Sequence, residues 1–141
     1  YSRTGRCTNG FSLPADWLAW HPTCHHKADL HGLFDTMEAR LQWLDMPVMY
    51  IYGHSFEFNN DKNWDKIEKF CDKVAGHPDV WFATNIEIVD YVNATKQLKF
   101  SWDRRLIYNP SAIDVWIEVD SEAVKIPAGE TVDLGYVPCV K

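Results

Sequence analysis

Between Asp29 and Leu44 the apolar residues Leu30, Leu33, Phe34, Met37, Leu41 and Leu44 recur at offsets of 0, 3, 4, 7, 11 and 14. That spacing lays one apolar stripe along a helix, with Asp29 placed to cap its first turn and Met46-Pro47 to stop it. Val48-Met49-Tyr50-Ile51-Tyr52 is continuously apolar and flanked by helical patterns, which reads as a strand buried on both faces of a parallel sheet. A second helix starts at Asn60 or Asp61, carries Trp64, Ile67, Cys71 and Val74 at offsets of 0, 3, 7 and 10, and ends at Gly76 and Pro78. Val80-Trp81-Phe82-Ala83 reads as a second short buried strand. Thr84-x-x-Glu87 is a capping-box pattern that opens a third helix running to about Thr95.

The order helix, strand, helix, strand, helix over residues 29 to 95 implies a parallel α/β sheet or barrel. Before it, residues 1 to 28 are irregular and polar, with Tyr1-Ser2-Arg3-Thr4 as a short strand candidate and Gly5, Asn9-Gly10 and Pro14 marking a loop. After Leu98 the period changes to two. Ile113, Val115, Ile117 and Val119 alternate with polar or aromatic neighbours, and turns at Asp120-Ser121-Glu122 and Pro127-Ala128-Gly129 lead into Ala123–Ile126 and Thr131–Leu134. This is a small antiparallel appendage. The domains predicted are therefore residues 1–97, α/β, and 98–141, a β-extension.

Composition narrows the function classes. With 14 basic and 20 acidic residues among 141, and no Lys/Arg-dense stretch, the chain lacks the positive footprint of a nucleic-acid binder. Its apolar runs fall far short of the ~20 residues that span a bilayer. Seven Trp, six Tyr and seven Phe form a heavy aromatic load, suited to stacking on sugar faces and equally to building a core. The four cysteines, Cys7, Cys24, Cys71 and Cys139, contain no C-x-x-C pair, which argues against a zinc knuckle or thioredoxin-type motif. Cys71 lies on the apolar face of its helix and is assigned to the core.

The sharpest candidate for chemistry is Tyr52-Gly53-His54-Ser55-Phe56-Glu57, at the C-terminal end of the first buried strand, where parallel α/β folds build their sites. Imidazole titrates near neutrality, so His54 suits a general acid or base. The alternative is a histidine that only hydrogen-bonds within a loop. Glu57 either orients His54 or is simply solvated. A second cluster is His21-Pro22-Thr23-Cys24-His25-His26. Adjacent His25 and His26 would point opposite ways in a strand, so one of them can line a pocket, and a metal site built from this segment alone is disfavoured. Trp20, Trp64, Trp81 and Trp116 are candidate sugar-stacking rings, of which helix-face and strand positions assign Trp64 and Trp81 to the core. There is no phosphate loop, no G-x-S-x-G and no H-E-x-x-H.

Tyr1-Ser2-Arg3-Thr4, Trp20-His21-Pro22-Thr23-Cys24-His25-His26, Tyr52-Gly53-His54-Ser55-Phe56-Glu57-Phe58 and Trp81-Phe82-Ala83-Thr84-Asn85-Ile86-Glu87 occur here in order. Together they resemble the C-terminal half of a polysaccharide deacetylase domain of the bacterial type, and Leu98 to Leu134 is similar to a β-extension found on some members. The resemblance implies the C-terminal part of a distorted (β/α) barrel with a small antiparallel β appendage. It implies a divalent metal, usually zinc, held by one Asp and two His, a second Asp as base, and an L-x-H histidine as general acid. Tyr52-Gly53-His54 matches that last motif with Tyr for Leu, so the acid role goes to His54. Trp20, His25, His26 and Tyr52 are the candidates for lining the substrate pocket.

The family's Asp pair, its H-[ST]-x-x-H metal motif and its Arg-x-Pro-aromatic motif do not occur in this sequence and are expected upstream of Tyr1. No residue here is therefore assigned as a metal ligand, and the chain alone is expected to be inactive without an N-terminal half of the domain. The activity implied is hydrolysis of N- or O-acetyl groups on a polysaccharide or acetylated oligosaccharide, in an extracytoplasmic or cell-surface setting. Two other readings stay open: a non-catalytic carbohydrate-binding domain of the same fold, and a structural domain whose aromatics are all core.

Overall fold

A computed structural model describes residues 1–135. They form a mixed α/β protein with four α-helices and small sheets, and no closed barrel is present among the described residues. Cys139 lies outside them. The chain divides into two compact units, Tyr1–Phe82 and from Ala83 onward. The sequence reading placed the division after residue 97.

The first unit holds β1 (Cys24–His25), α1 (Leu30–Glu38), β2 (Ile51–Tyr52), α2 (Ser55–Asp61) and α3 (Trp64–Ala75). β1 and β2 pair in parallel, Cys24 with Ile51 and His25 with Tyr52. Trp20 and Arg3 form a further parallel bridge, so the expected strand at Tyr1–Thr4 is reduced to a single bridge. The hydroxyl of buried Thr23 ties these segments together. It donates to the Gly10 carbonyl (2.9 Å) and accepts from the Tyr50 N–H (3.0 Å). The core beneath is Phe11, Cys24, Leu30, Phe34, Met37, Phe70 and Val74. Leu30, Phe34 and Met37 are therefore the helical stripe read from the sequence, and Asp29 caps α1 by accepting from the Gly32 N–H (3.0 Å).

Several elements are shorter than their patterns. The α1 helix ends at Glu38 and tightens into a 3-10 turn at Leu41–Trp43, with Leu41 and Trp43 exposed. The strand expected over 48–52 is confined to Ile51–Tyr52 and half-buried, because β1 is its sole partner among the described residues. The helix expected from Asn60 is two helices. Lys62 turns left-handed (φ 49°), its N–H bonding to the Asn59 carbonyl, while the Asn63 N–H bonds to the Phe58 carbonyl. That closure satisfies carbonyls at the end of α2, and it buries Phe58 with the Trp64 ring 5.0 Å away. Cys71, expected in the core, is exposed, since Phe70 and Val74 take the buried face of α3. Val80–Ala83 forms no strand, and Trp81 and Phe82 are 60% and 63% exposed.

The second unit opens with α4 (Asn85–Gln97), where Thr84 and Glu87 form the expected capping box: the Thr84 N–H donates to Glu87 Oε2 (2.7 Å) and the Glu87 N–H to Thr84 Oγ1 (3.4 Å). β3 (Lys99–Phe100), β4 (Leu106–Tyr108) and β7 (Thr131–Asp133) make one antiparallel sheet, and β5 (Val115–Val119) and β6 (Glu122–Ile126) a hairpin. The hairpin tip, Asp120-Ser121, has positive φ at both residues (51° and 66°), the geometry that matches strand twist in a two-residue turn. Helix α4 belongs here because it packs on β5, where the Trp116 N–H donates to the Tyr91 hydroxyl (3.1 Å).

Asn109 joins the two sheets. It is fully buried and uses its whole side-chain capacity: Nδ2 donates to the carbonyls of Ile113 (2.7 Å) and Ile126 (3.0 Å), and Oδ1 accepts from the N–H (3.0 Å) and hydroxyl (2.7 Å) of Ser111. Asn109→Ala deletes four hydrogen bonds in a dry site, and we expect a loss of about 2–4 kcal/mol. Urea unfolding followed by circular dichroism measures it; a loss under about 0.5 kcal/mol, the size of a surface substitution, would contradict this role.

Candidate functional site: three histidines around Glu57

The parallel pair β1–β2 ends with its C-terminal edge carrying four polar side chains. His25 closes β1 and His26 follows it. Gly53 and His54 follow β2, and Glu57 stands in the first turn of α2. All three imidazoles converge on one oxygen. Glu57 Oε2 lies 2.9 Å from His26 Nε2, 3.2 Å from His25 Nε2 and 3.5 Å from His54 Nδ1, and it also accepts the His54 backbone N–H at 3.2 Å. Lys27 Nζ stands 3.5 Å from Oε1 and bridges on to Asp61 at 2.8 Å. Glu57 is thus the hub of the site and not a solvated neighbour of His54.

The helix N-terminus explains this position. Glu57 is three residues past His54, the N3 place of a capping box, where a Glu side chain reaches back to the N-cap amide. His26 then locks the carboxylate from the other side. A carboxylate only accepts, so His26 Nε2 carries the hydrogen, and its Nδ1 is buried with no partner among the described residues. The His26 side chain is 4% exposed and packed between His25 (centroids 4.3 Å apart) and Phe58 (4.2 Å). A Cβ on Gly53 would stand 1.8 Å from His26 Cδ2. The close approach that this glycine permits is therefore that of the His26 ring. The His26 hydrogen bond, then the His54 amide and the Lys27 charge, hold the Glu57 carboxyl down to about 2 from its ordinary 4.5, against the partial desolvation that opposes them.

His25 and His26 do not point opposite ways. β1 ends at His25, so the alternation of a strand does not extend to His26, and both rings face Glu57. His25 is the half-exposed member and packs edge-on against Tyr52 (4.9 Å). Tyr52 is held from the N-terminal loop: its hydroxyl donates to the Gly5 carbonyl (3.3 Å) and contacts Cys7 Sγ (3.9 Å), and the Arg3 guanidinium lies 4.5 Å over its ring. The Cys7 contact raises the phenol above its ordinary range. His54 is the open member. Its side chain is 65% exposed, its ring lies 5.1 Å from that of Phe56, and its Nε2 makes no hydrogen bond to the described residues.

Trp20 does not join this group. It is 2% exposed, its ring crowded by Trp17 (5.0 Å) and Tyr50 (4.8 Å), so it packs as core and offers no face to a sugar. Trp64, Trp81 and Trp116, in contrast, are exposed, which reverses the core assignment for Trp64 and Trp81. Burial pushes the Cys24 thiol up to about 11, towards the protonated form of a core residue. The Asp-His-His set that the resemblance implies does not occur among the described residues. The one group there with three metal-ligating atoms close together is His25, His54 and Glu57, within 4.8 Å of one another.

Two outcomes follow from this packing. Gly53→Ala drives a methyl into the His26 ring and should cost about 1–3 kcal/mol, whereas Gly76→Ala, whose nearest atom is 3.9 Å away, should change little; thermal melts of both variants test the contrast. Because the Glu57 carboxyl is depressed in the fold, its ionisation contributes stability that is complete above about pH 4.5 and is lost as pH falls towards 2. The stability gap between wild type and Glu57→Gln should therefore narrow across that interval, and a gap constant from pH 6 to pH 2 would contradict the assignment.

Compared with known proteins, the chain matches no family model, no curated protein and no solved structure.

Proposed function

We propose that this chain is the acid-bearing half of a carbohydrate deacetylase, the C-terminal part of a distorted (β/α) barrel, with His54 as the group that protonates the departing amine. The observation that carries the reading is the placement of His54: exposed, at the C-terminal edge of a parallel strand pair, with one ring nitrogen beside a carboxylate and the other open. The polysaccharide deacetylase resemblance of residues 1 to 95 supports the same role. By the same resemblance, the metal and the base belong to the upstream half of the domain.

The chemistry asked of His54 is limited. After water has added to an acetamide carbonyl, the C–N bond of the tetrahedral intermediate must break, and its electron pair goes to nitrogen. An amine anion is a very poor leaving group, so nitrogen takes the proton from the His54 imidazolium as the bond breaks. From the anionic intermediate, acetic acid and a neutral amine leave, the acid then ionises to acetate in water, and the imidazole is left neutral. Glu57 Oε2, 3.5 Å from Nδ1, offers a fixed negative charge beside the ring while it carries the proton. Glu57 is itself held by His26, so the acid stands on a support that does not titrate away near neutral pH. His25 and Tyr52, packed edge to face next to it, supply a wall for the acetylated sugar.

In the complete protein, His54→Ala should lower kcat for acetate release by about 10²–10⁴-fold and shift KM far less. An unchanged kcat would overturn the acid assignment, and a sugar-binding chain with no acetate release at all would favour the non-catalytic carbohydrate-binding reading.

A further inference from the structure

We propose that His25 Nε2, His54 Nδ1 and Glu57 Oε2 form a binding site for one transition-metal ion of the Zn²⁺ class, distinct from the metal that the resemblance assigns to upstream residues. Two imidazoles and one carboxylate are a donor set that suits Zn²⁺, Cu²⁺ or Ni²⁺ and suits Ca²⁺ or Mg²⁺ poorly. The three ligand atoms lie within 4.8 Å of one another, and the two distances from Glu57 fit a tetrahedral ion. Tetrahedral Zn²⁺ with bonds of about 2.0–2.1 Å has ligand–ligand edges of about 3.3–3.4 Å. Glu57 Oε2 stands 3.2 Å from His25 Nε2 and 3.5 Å from His54 Nδ1, on either side of that edge. Three protein ligands leave the fourth position for water, the arrangement of an open zinc site.

The ligands come from separate segments held in register: His25 through the β1–β2 pairing, His54 and Glu57 through the first turn of α2. His26 contributes the outer hydrogen bond. Its Nε2–H on Glu57 is the kind of contact that orients a ligating carboxylate. Two groups oppose binding. His25 Nδ1 accepts the Lys27 N–H at 3.3 Å, so the ring must move its proton from Nε2 to Nδ1 and give up that bond. Lys27 Nζ also places a positive charge 3.5 Å from Glu57 Oε1.

The test is calorimetric titration of the full chain with ZnCl₂, with Co²⁺ absorption as a check on tetrahedral geometry. One ion per chain is expected. His25→Ala and His54→Ala should each weaken binding by more than the ~10–100-fold that loss of an outer partner costs. His54 is exposed, so that variant keeps its fold, and a circular dichroism melt confirms it. Lys27→Ala should tighten binding by removing the opposing charge, and His77→Ala, whose ring pairs with Glu38 (3.1 Å), should leave it unchanged. No binding by wild type, or an affinity unchanged in His54→Ala or His25→Ala, overturns the proposal. The readout needs no deacetylase activity, so its failure is separate from failure of the acid role of His54, which belongs to the metal-free chain because an ion on Nδ1 takes the place of the proton an imidazolium carries there.

Discussion

The site depends on the hydrogen bond from His26 to Glu57. A carboxylate at the start of a short helix is ordinarily a solvated cap worth a fraction of a kilocalorie to a kilocalorie per mole. Here a buried imidazole reaches it from the neighbouring strand end, and the cap becomes a fixed anion about which His25 and His54 are arranged. Remove that bond and Glu57 keeps only the His54 amide and the charge of Lys27 to hold it near the two outer rings. The parallel pairing of two-residue strands, the absence of a side chain at Gly53 and the burial of Phe58 all serve to bring His26 to that contact.

The two units solve the problem of small sheets differently. In the first, β1 and β2 are too short to hold together by their ladder alone, and the Thr23 hydroxyl supplies the link between Gly10 and Tyr50. In the second, two antiparallel sheets share no strand, and Asn109 bonds to carbonyls near the ends of the hairpin while its own backbone pairs with Gly129 and Glu130. A single polar side chain, buried and fully partnered, does the joining in each case. Such groups stabilise only while every one of their bonds is made. The bidentate pair of Arg105 on Asp133 (2.7 and 2.6 Å), which holds that carboxyl down to about 2, is the exposed counterpart in the second unit.

Much of both units was legible. The stripe of α1, the Asp29 cap, the strand core at Ile51–Tyr52, the Thr84–Glu87 capping box and the period-two strands after Leu98 are all local patterns, and local physics reads them. What escaped depends on tertiary partners. A continuous apolar run cannot tell a strand flanked on both sides from one with a single neighbour, which is why Val48–Tyr52 shrank and Val80–Ala83 formed no strand. Periodicity assigned Cys71 to the core because it cannot rank Cys71 against Phe70 one position away. At the site, His54 was visible through its place after a strand. Glu57 carried a signal too, the three-residue capping spacing from His54, but its meaning rests on His26, 31 residues earlier in the chain. Convergence of that kind has no signature in spacing.

The missing side chain at position 53 carries a constraint on descent. The space beside that glycine is already filled by the ring of His26, so a side chain gained at 53 is felt at 26. A larger residue at 53 is accommodated without loss of stability only where the imidazole at 26 has given way to something slimmer. With that imidazole goes the donor that pins the anion, so change at 53 carries a cost for as long as the trio of rings is kept.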